Sequence, residues 1–516
     1  MSANFIACGR EQEFLLPPSL LDWLPPGHLV WTVIDSVREL DLSAFYAAYR
    51  ADGHGRPAYE PSMMVTLLLY AYARGNRSSR GIERACVEDV AYRVIAANLV
   101  PDHSTIAEFR RRHEAALADL FGGVLRLCQR AGLVSVGVIA IDGTKVHGNA
   151  SHHNNLDYER LTRAILAEAE RIDREEDARF GRARGDELPL ELSTPEGRRA
   201  ALREARRQLE REARAGLESD GEGERDLPEV ALELRAEQIV DGSSGRRAWP
   251  REAARQIDLQ RKQRARPVPR ERAGRLLEAE SRMREDLAAE RAANDAYNAY
   301  RAAGRDKRGR GFGSPPKPYR PPDEPSGVVN TSDPDSHNMQ TAKGWVQGYN
   351  AQAAVTEDQI VIAAEIMVRS PDFGYLEPMV TATETELRNA GVSEPIGIGL
   401  ADAGYWHQRQ MESIVSRGIQ LLVPPDSDQR KTQSKRNWQG GPYAFMRRVL
   451  ASDHGAALYR KRQGIIEPVF GHTKHNRKID MFPRRGRSAV RSEWRLITAT
   501  HNLLKLHSHQ LAAAGA

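Results

Sequence analysis

Three acids, far apart in the chain, stand where a carboxylate can do chemistry. Asp142 lies in the apolar run VSVGVIAIDGTKVHG, where an unpaired carboxylate is costly to bury. Asp142-Gly143 also reads as a hairpin-turn signal, although the apolar pattern resumes at Val146. Asp402 follows IGIGLA, at the carboxyl end of an expected strand, where open α/β sheets place ligand-binding groups. An aspartate there also serves as the N-cap of a following helix. Glu467 follows Gly464-Ile465-Ile466 in a helical stretch, where a single glutamate is usually only solvated. Taken together, two strand-borne aspartates and a helix-borne glutamate can converge on divalent metal. Mg²⁺ prefers oxygen ligands and keeps several waters, so a few carboxylates suffice, with Mn²⁺ as a substitute. Two such ions about 3.5–4 Å apart can activate an attacking oxygen and stabilise the leaving one at a phosphodiester. There is no His- or Cys-rich ligand set for zinc, and no GxxxxGK[ST] loop to support ATP hydrolysis.

The surroundings of Glu467 suit a polyanionic substrate. Arg460, Gln463, Glu467 and Lys474 share one side of a helix, so Lys474 is placed to hold a phosphate beside the acids, and Arg477 and Lys478 extend the basic surface. Pro468 removes a helical donor and crowds the carbonyl of Gly464, which predicts a bent helix or one that restarts at Pro468. Other basic clusters are Arg110-Arg111-Arg112, RKQRAR at 261–266, RDKRGR at 305–310 and PRRGR at 483–487. Each alone reads as solvated surface; several in one chain make nucleic acid a reasonable partner.

Three regions must position these groups. Residues 1–134 read as all-helical, with SMMVTLLLYAYARG a buried helix behind Pro61, and Ser104 or Asp102 capping a later one. The short helices before HSTIAEFRRRH fit either a helix-turn-helix, with Arg110, Arg111 and Arg112 on its phosphate-facing side, or an ordinary helical bundle. Residues 135–151 and 327–510 read as one mixed α/β domain. Its strands include GWVQGYNAQAAVT and QIVIAAEIMV, paired about a turn at Glu357-Asp358, and QLLVPP, with helices between and after. The element order is that of an RNase H-like domain, a mixed sheet flanked by helices, interrupted between its first and second strands. Residues 152–326 form a helical, charge-rich insertion ending in the proline-rich connector SPPKPYRPPDEP, a spacer or arm in which no chemistry is apparent.

The 516 residues suffice for two to four domains, and the net charge of +5 leans weakly toward polyanions. Cys8, Cys86 and Cys128 are sparse and lack CxxC spacing, which argues for a reducing compartment and against a disulfide framework or structural zinc. With no secretory signal at the N-terminus and no apolar run of about 20 residues, the expected location is the cytoplasm.

IDGTKVHGNAS, NTSDPDSHNMQTAKGWVQGYNAQAAV, ADAGYW, YRKRQGIIEPVFGHTK and WRLITATHNLLKL resemble the ordered signature blocks of bacterial insertion-sequence transposases of the DDE, RNase H-like class. The N-terminal part resembles the InsH-like helical domain that precedes that catalytic domain. The resemblance implies that Asp142, Asp402 and Glu467 bind the metal, that Mg²⁺ is the cofactor, and that inverted-repeat ends are the substrate. Cleavage and joining of a 3′-hydroxyl to target DNA would follow, in a homo-oligomer on double-stranded DNA in the nucleoid. It also implies phosphate contacts from Lys474 and Arg477. Tyr459 and Arg462 lie one step farther from Glu467 than the family's usual spacing. The competing readings are a DNA-binding relic without activity, against which the presence of all three acids weighs, a scaffold built around the insertion, and a repair or restriction nuclease of the same fold.

Overall fold

The computed structural model describes residues 19–49, 57–180, 203–207, 248–263, 267–305, 309, 311, 320–341, 344–368, 372–425 and 441–514. The N-terminal residues 1–18, residues 264–266, 306–308 and 310 of the basic clusters, residues 314–319 of the connector and most of the insertion between 181 and 247 lie outside these.

The sheet is built around two long strands. β1 (Val138–His147) runs straight through Asp142-Gly143 and pairs along its length with β3 (Gly344–Thr356), from Ile139 opposite Thr356 to His147 opposite Gly348. The Asp-Gly pair is therefore mid-strand and not a turn. The other edge of β3 carries β2 (His337–Thr341) and then β4 (Val361–Met367), both antiparallel, with the β3–β4 turn at Glu357-Asp358. β5 (Ile398–Ala401) lies parallel to β1, and β6 (Gln420–Leu422) parallel to β5. The order is β4-β3-β1-β5-β6, with β2 beside β3. β3 and β4 are buried over nearly their whole length, which suits their Ala-, Val- and Ile-rich runs.

The N-terminal helices include α1 (Leu29–Glu39), α2 (Pro61–Ala73), α3 (Ser79–Glu88), α4 (Val90–Ile95), α5 (His103–Arg112) and α6 (Glu114–Arg130). α2 starts on Pro61, whose missing N–H is harmless there, and is apolar all round and buried accordingly. Asp102 caps α5 by accepting from the amides of Ser104 and Thr105. α10 (Leu376–Asn389) joins β4 to β5 and α11 (Gln408–Ser416) joins β5 to β6; after the sheet come α12 (Gly441–Ala451), α13 (Asp453–Gly471) and α14 (Arg487–Ala514). α14 packs on α2, α6 and β4, so one continuous core runs from α1 through the sheet to the C-terminus. Residue 134 is consequently no boundary of packing: the N-terminal helices share the core of the sheet. Trp494 of α14 donates to the Gln352 carbonyl at 2.9 Å, and Asn502 clasps both backbone groups of Val361.

The insertion contains α7 (Tyr158–Phe180), α8 (Ala248–Gln263) and α9 (Arg272–Ala302), which have two small cores of their own. Its charges are not all solvated, as a spacer's would be. Lys262 pairs with Glu365 at 2.9 Å, Arg282 with Asp335 at 2.7 Å and Asp258 with Arg487 at 2.8 Å, docking α8 and α9 on the β4 side of the sheet.

α13 neither restarts nor breaks at Pro468. The Gly464 carbonyl orphaned by that proline accepts instead from the Gln359 side-chain amide at 3.2 Å, which removes the reason for the helix to end. A wider π-helical turn, His472–Asn476, follows.

Candidate active site

Asp142 and Asp402 stand side by side because of the sheet's register. Ile141 pairs with Ala401 across the parallel β1–β5 ladder, so the next residue on each strand is an aspartate. Neighbouring strands lie about 4.8 Å apart, which sets the two carboxylates close together where β5 stops. Asp402 also caps the short helical turn Ala403–Tyr405, accepting from the Gly404 amide at 2.8 Å. Both readings of Asp402 therefore hold at once: it ends the strand and caps the turn.

A third acid joins them. Asp372, in the loop between β4 and α10, accepts at Oδ1 from Asn350 and Gln352, each at 2.7 Å. Those amides come from β3, opposite Lys145 and Gly143. Gly143 must lack a side chain: a Cβ there would lie 2.1 Å from the Gln352 amide nitrogen and 2.9 Å from Asp372 Oδ1. Tyr405, fully buried, donates its hydroxyl to the Gln352 side-chain oxygen Oε1 and so fixes which end of that amide faces Asp372. Asp372 carries no signal in the sequence beyond an ordinary turn aspartate ahead of a helix.

Among the described residues, one cation faces this group. Arg462 of α13 donates to Asp142 Oδ2 at 2.7 Å, both side chains being largely buried at 14% and 18% exposure. Its guanidinium lies near the Tyr459 ring, 5.9 Å from the centroid, and its Nε is buried without a partner. Burial pushes Asp142 up to about 7; Asp402 and Asp372 push the same way and Arg462 opposes. Asp402 is raised too, by burial and then by Asp372. Among the described residues, three carboxylates stand against one guanidinium. The donors are all hard oxygens, which fits Mg²⁺, an ion held by one or two carboxylates with waters and substrate phosphates supplying the rest. No group of three or more His, Cys, Asp or Glu side chains is gathered closely enough to hold a metal among the described residues.

Glu467 is not brought to the pair in this conformation. It is exposed on α13, five residues and so about 140° around the helix from Arg462. Lys474, in the π turn, is half-buried and donates to the Lys145 carbonyl of β1 at 2.8 Å. Arg111 and Arg112 are exposed at the end of α5; Arg111 pairs with Glu108 at 2.7 Å and Arg112 stacks on the Tyr49 ring at 4.6 Å.

Two expected DNA contacts are corrected. Arg110 is buried, donating to the Tyr72 hydroxyl, the Arg77 carbonyl and Ser79, and so ties α5 to α2 and α3. Arg477 is buried as well. It donates to the carbonyls of Tyr72 and Ile497 at 2.8 and 3.0 Å and to Thr500 at 2.5 Å, and burial pushes it down to about 9. Each guanidinium spends its donors on the core, and neither is open to a phosphate.

No helix among the described residues is long and apolar enough to cross a membrane. No curated protein and no solved structure matches the chain. Two family models do. One described as "Transposase domain (DUF772)" matches residues 18–112, and one described as "Transposase DDE domain" matches residues 425–507. The second match contains Tyr459, Arg462, Glu467 and Lys474, whereas Asp142, Asp372 and Asp402 lie outside both. The chain is thus similar to a transposase domain near its N-terminus and to a DDE transposase domain near its C-terminus.

Proposed function

We propose that the chain is an insertion-sequence transposase of the DDE type that cuts and joins DNA on an RNase H-like scaffold, with Asp142 and Asp402 as the core of its catalytic site. The strand order supports the scaffold: an antiparallel meander of β1, β3 and β4, with β5 and then β6 added parallel on the far side of β1. The observation that carries the reading is the pair of half-buried aspartates set side by side by adjacent parallel strands, with more carboxylates than cations around them among the described residues. Two Mg²⁺ ions, when bound there, supply the positive charge that activates an attacking oxygen and stabilises the leaving one. Asp142 and Asp402 hold the ions, and Asn350, Gln352 and Tyr405 keep the acids' surroundings fixed.

Glu467 is the third acid in this reading, supported by its place within the DDE match and on a helix packed along β1. It reaches the pair by a turn of α13 on the DNA-bound chain. Water attacks a phosphodiester at the end of an inverted repeat, releasing a 3′-hydroxyl; that hydroxyl then attacks a phosphodiester of the target, joining the two DNAs. Arg111, Arg112 and Lys474 contact backbone phosphates, and two or more copies of the chain, acting on nucleoid DNA in the cytoplasm, hold the two ends together.

The test uses a labelled duplex carrying an element end, incubated with Mg²⁺ or EDTA. Wild-type chain is expected to nick it only with Mg²⁺, and Asp142→Ala and Asp402→Ala to bind it without nicking. Nicking by either variant at the wild-type rate would refute the assignment. Glu467→Gln and Asp372→Asn, compared in parallel, identify which acid completes the set.

A further inference from the structure

The sequence reads the insertion as a spacer or an arm, and the segment leading into its last long helix, α9, is built into an arginine-rich surface. The segment before α9, residues 267–270, runs against the turn that carries PRRGR. A Cβ on Gly486 would lie 2.8 Å from a Val268 methyl group, so the two backbones are in contact there. Gly486 also has φ +85°, a left-handed turn that suits glycine. Arg485, exposed, donates to the Asn149 carbonyl at 2.9 Å, and Asn149 donates back to the Pro483 carbonyl at 2.8 Å. The PRRGR turn is thereby fixed at the outgoing end of β1.

Charge on three separate parts of the chain meets at this place. Arg275 of α9 is held below its usual value by burial, then by Arg485 and Arg272. Glu108 of α5 is held down by Arg111 first, with contributions from Arg270 and Arg112. Arg270 therefore lies near the end of α5, and Arg485 near α9. Arg270, Arg272, Arg485 and Arg111 are exposed and Arg275 is partly so. The acids facing them, among the described residues, are Glu108, which pairs with Arg111; Glu168, which Arg272 shares with Arg171; Glu114, which pairs with Arg484; and exposed Glu271. The balance remains positive.

We propose that Arg270, Arg272, Arg275, Arg485 and Arg111 form one composite face that binds the backbone of duplex DNA leading to the cut site. The inference rests on the transposase reading, and it gives the insertion a function: it carries part of the DNA-binding surface. Spacing favours duplex DNA. Asn149 lies seven residues beyond Asp142, about 23 Å along an extended chain, or roughly seven base pairs at 3.4 Å each. A duplex whose cleaved end lies at Asp142 thus passes over this face within its first turn, with Lys145 and Lys474 between.

The experiment is anisotropy titration of a 30-base-pair labelled duplex, an arbitrary length, from about 50 to 200 mM KCl. The triple variant R270Q/R272Q/R485Q is compared with the full-length wild type, and with R270K/R272K/R485K, which keeps the charge. Each lost phosphate contact lowers the slope of log K against log salt by about 0.9, so the glutamine triple should lose about 2–3 in slope and roughly 10²-fold in affinity at 100 mM salt. The lysine triple should keep most of both. An unchanged slope in the glutamine triple, an equal loss in the lysine triple, or a preference for an RNA duplex of the same length would overturn the face. If the wild type binds no duplex at all, the functional reading fails with it; equal binding by wild type and glutamine triple removes the face alone.

Discussion

Replacing Asp142 with asparagine should stabilise the metal-free protein at alkaline pH while abolishing its chemistry. The Asp142 carboxyl, 18% exposed, is pushed from an ordinary 3.8 up to about 7. Below about pH 4 it is protonated in folded and unfolded chains alike. Between about 4 and 7 the folded chain keeps the proton and the unfolded chain has lost it, so stability falls as pH rises. Above 7 the folded state bears a buried carboxylate beside Asp402 and Asp372, and the stability present at low pH has been lost. Three pH units at 1.36 kcal/mol each give about 4 kcal/mol, discounted to roughly 2–3 kcal/mol for the remaining contact with solvent. Asparagine has the shape of the protonated acid and cannot ionise. The assay is thermal unfolding of wild type and Asp142→Asn in EDTA at pH 5.5 and pH 8. The variant should be ahead at pH 8 by roughly twice its lead at pH 5.5, which lies midway through the window; buried Asp333, also pushed up to about 7, cancels in the difference. Mg²⁺ added at pH 8 should raise the wild type and not the variant, because a ligand that binds only the folded state stabilises it. A variant less stable than wild type at pH 8 in EDTA, or a difference that does not change with pH, would refute the reasoning.

Gly143→Ala should push the Gln352 amide and the Asp372 carboxylate away from the pair, since its Cβ would lie 2.1 Å from the Gln352 nitrogen. The expected result is about 1–3 kcal/mol of lost stability and lost nicking with duplex binding retained; wild-type nicking would show that the amide pair does not matter to the site. Arg477→Gln should lower stability by about 2–4 kcal/mol, because three acceptors in the core lose a charged donor, and should leave the salt dependence of DNA binding unchanged. A slope lowered by about one with normal unfolding would restore Arg477 to the phosphate backbone.

The elements were largely legible because their signals are local. The apolar runs of β3, β4 and β5, the proline at the start of α2 and the aspartate cap of α5 each depend on neighbouring residues alone. The Asp142–Asp402 pair needed one further step, the recognition that each ends an apolar stretch on what becomes one sheet. What stayed hidden depends on contacts across the chain. Arg110 and Arg477 look like surface charge in sequence, because nothing near them reveals that Tyr72 lies against both. Asp372 is a turn aspartate until Asn350 and Gln352 are seen to reach it. Gln359, a hairpin residue at positive φ, cannot be connected by sequence to a carbonyl orphaned more than a hundred residues later.

α13 is a different case, because the information was local and was drawn from the wrong residues. Grouping its charges puts Arg460, Gln463, Glu467 and Lys474 on one side, which says only that they share a side. Which side meets the sheet is decided by what the helix must bury, here Ile465, Ile466 and Val469. Arg462 precedes those by three, four and seven residues, the spacing of a single helical face, so burying them also carries Arg462 inward to Asp142. Glu467 lies on the opposite side and is exposed for the same reason. With the apolar face docked, Arg462 and the acid hold each other; bringing Glu467 to the aspartates requires that face to rotate off the sheet and Arg462 to release Asp142. The cation of the metal-free site and the proposed third acid thus exclude each other on one rigid helix, so Arg462 must leave Asp142 as Glu467 arrives.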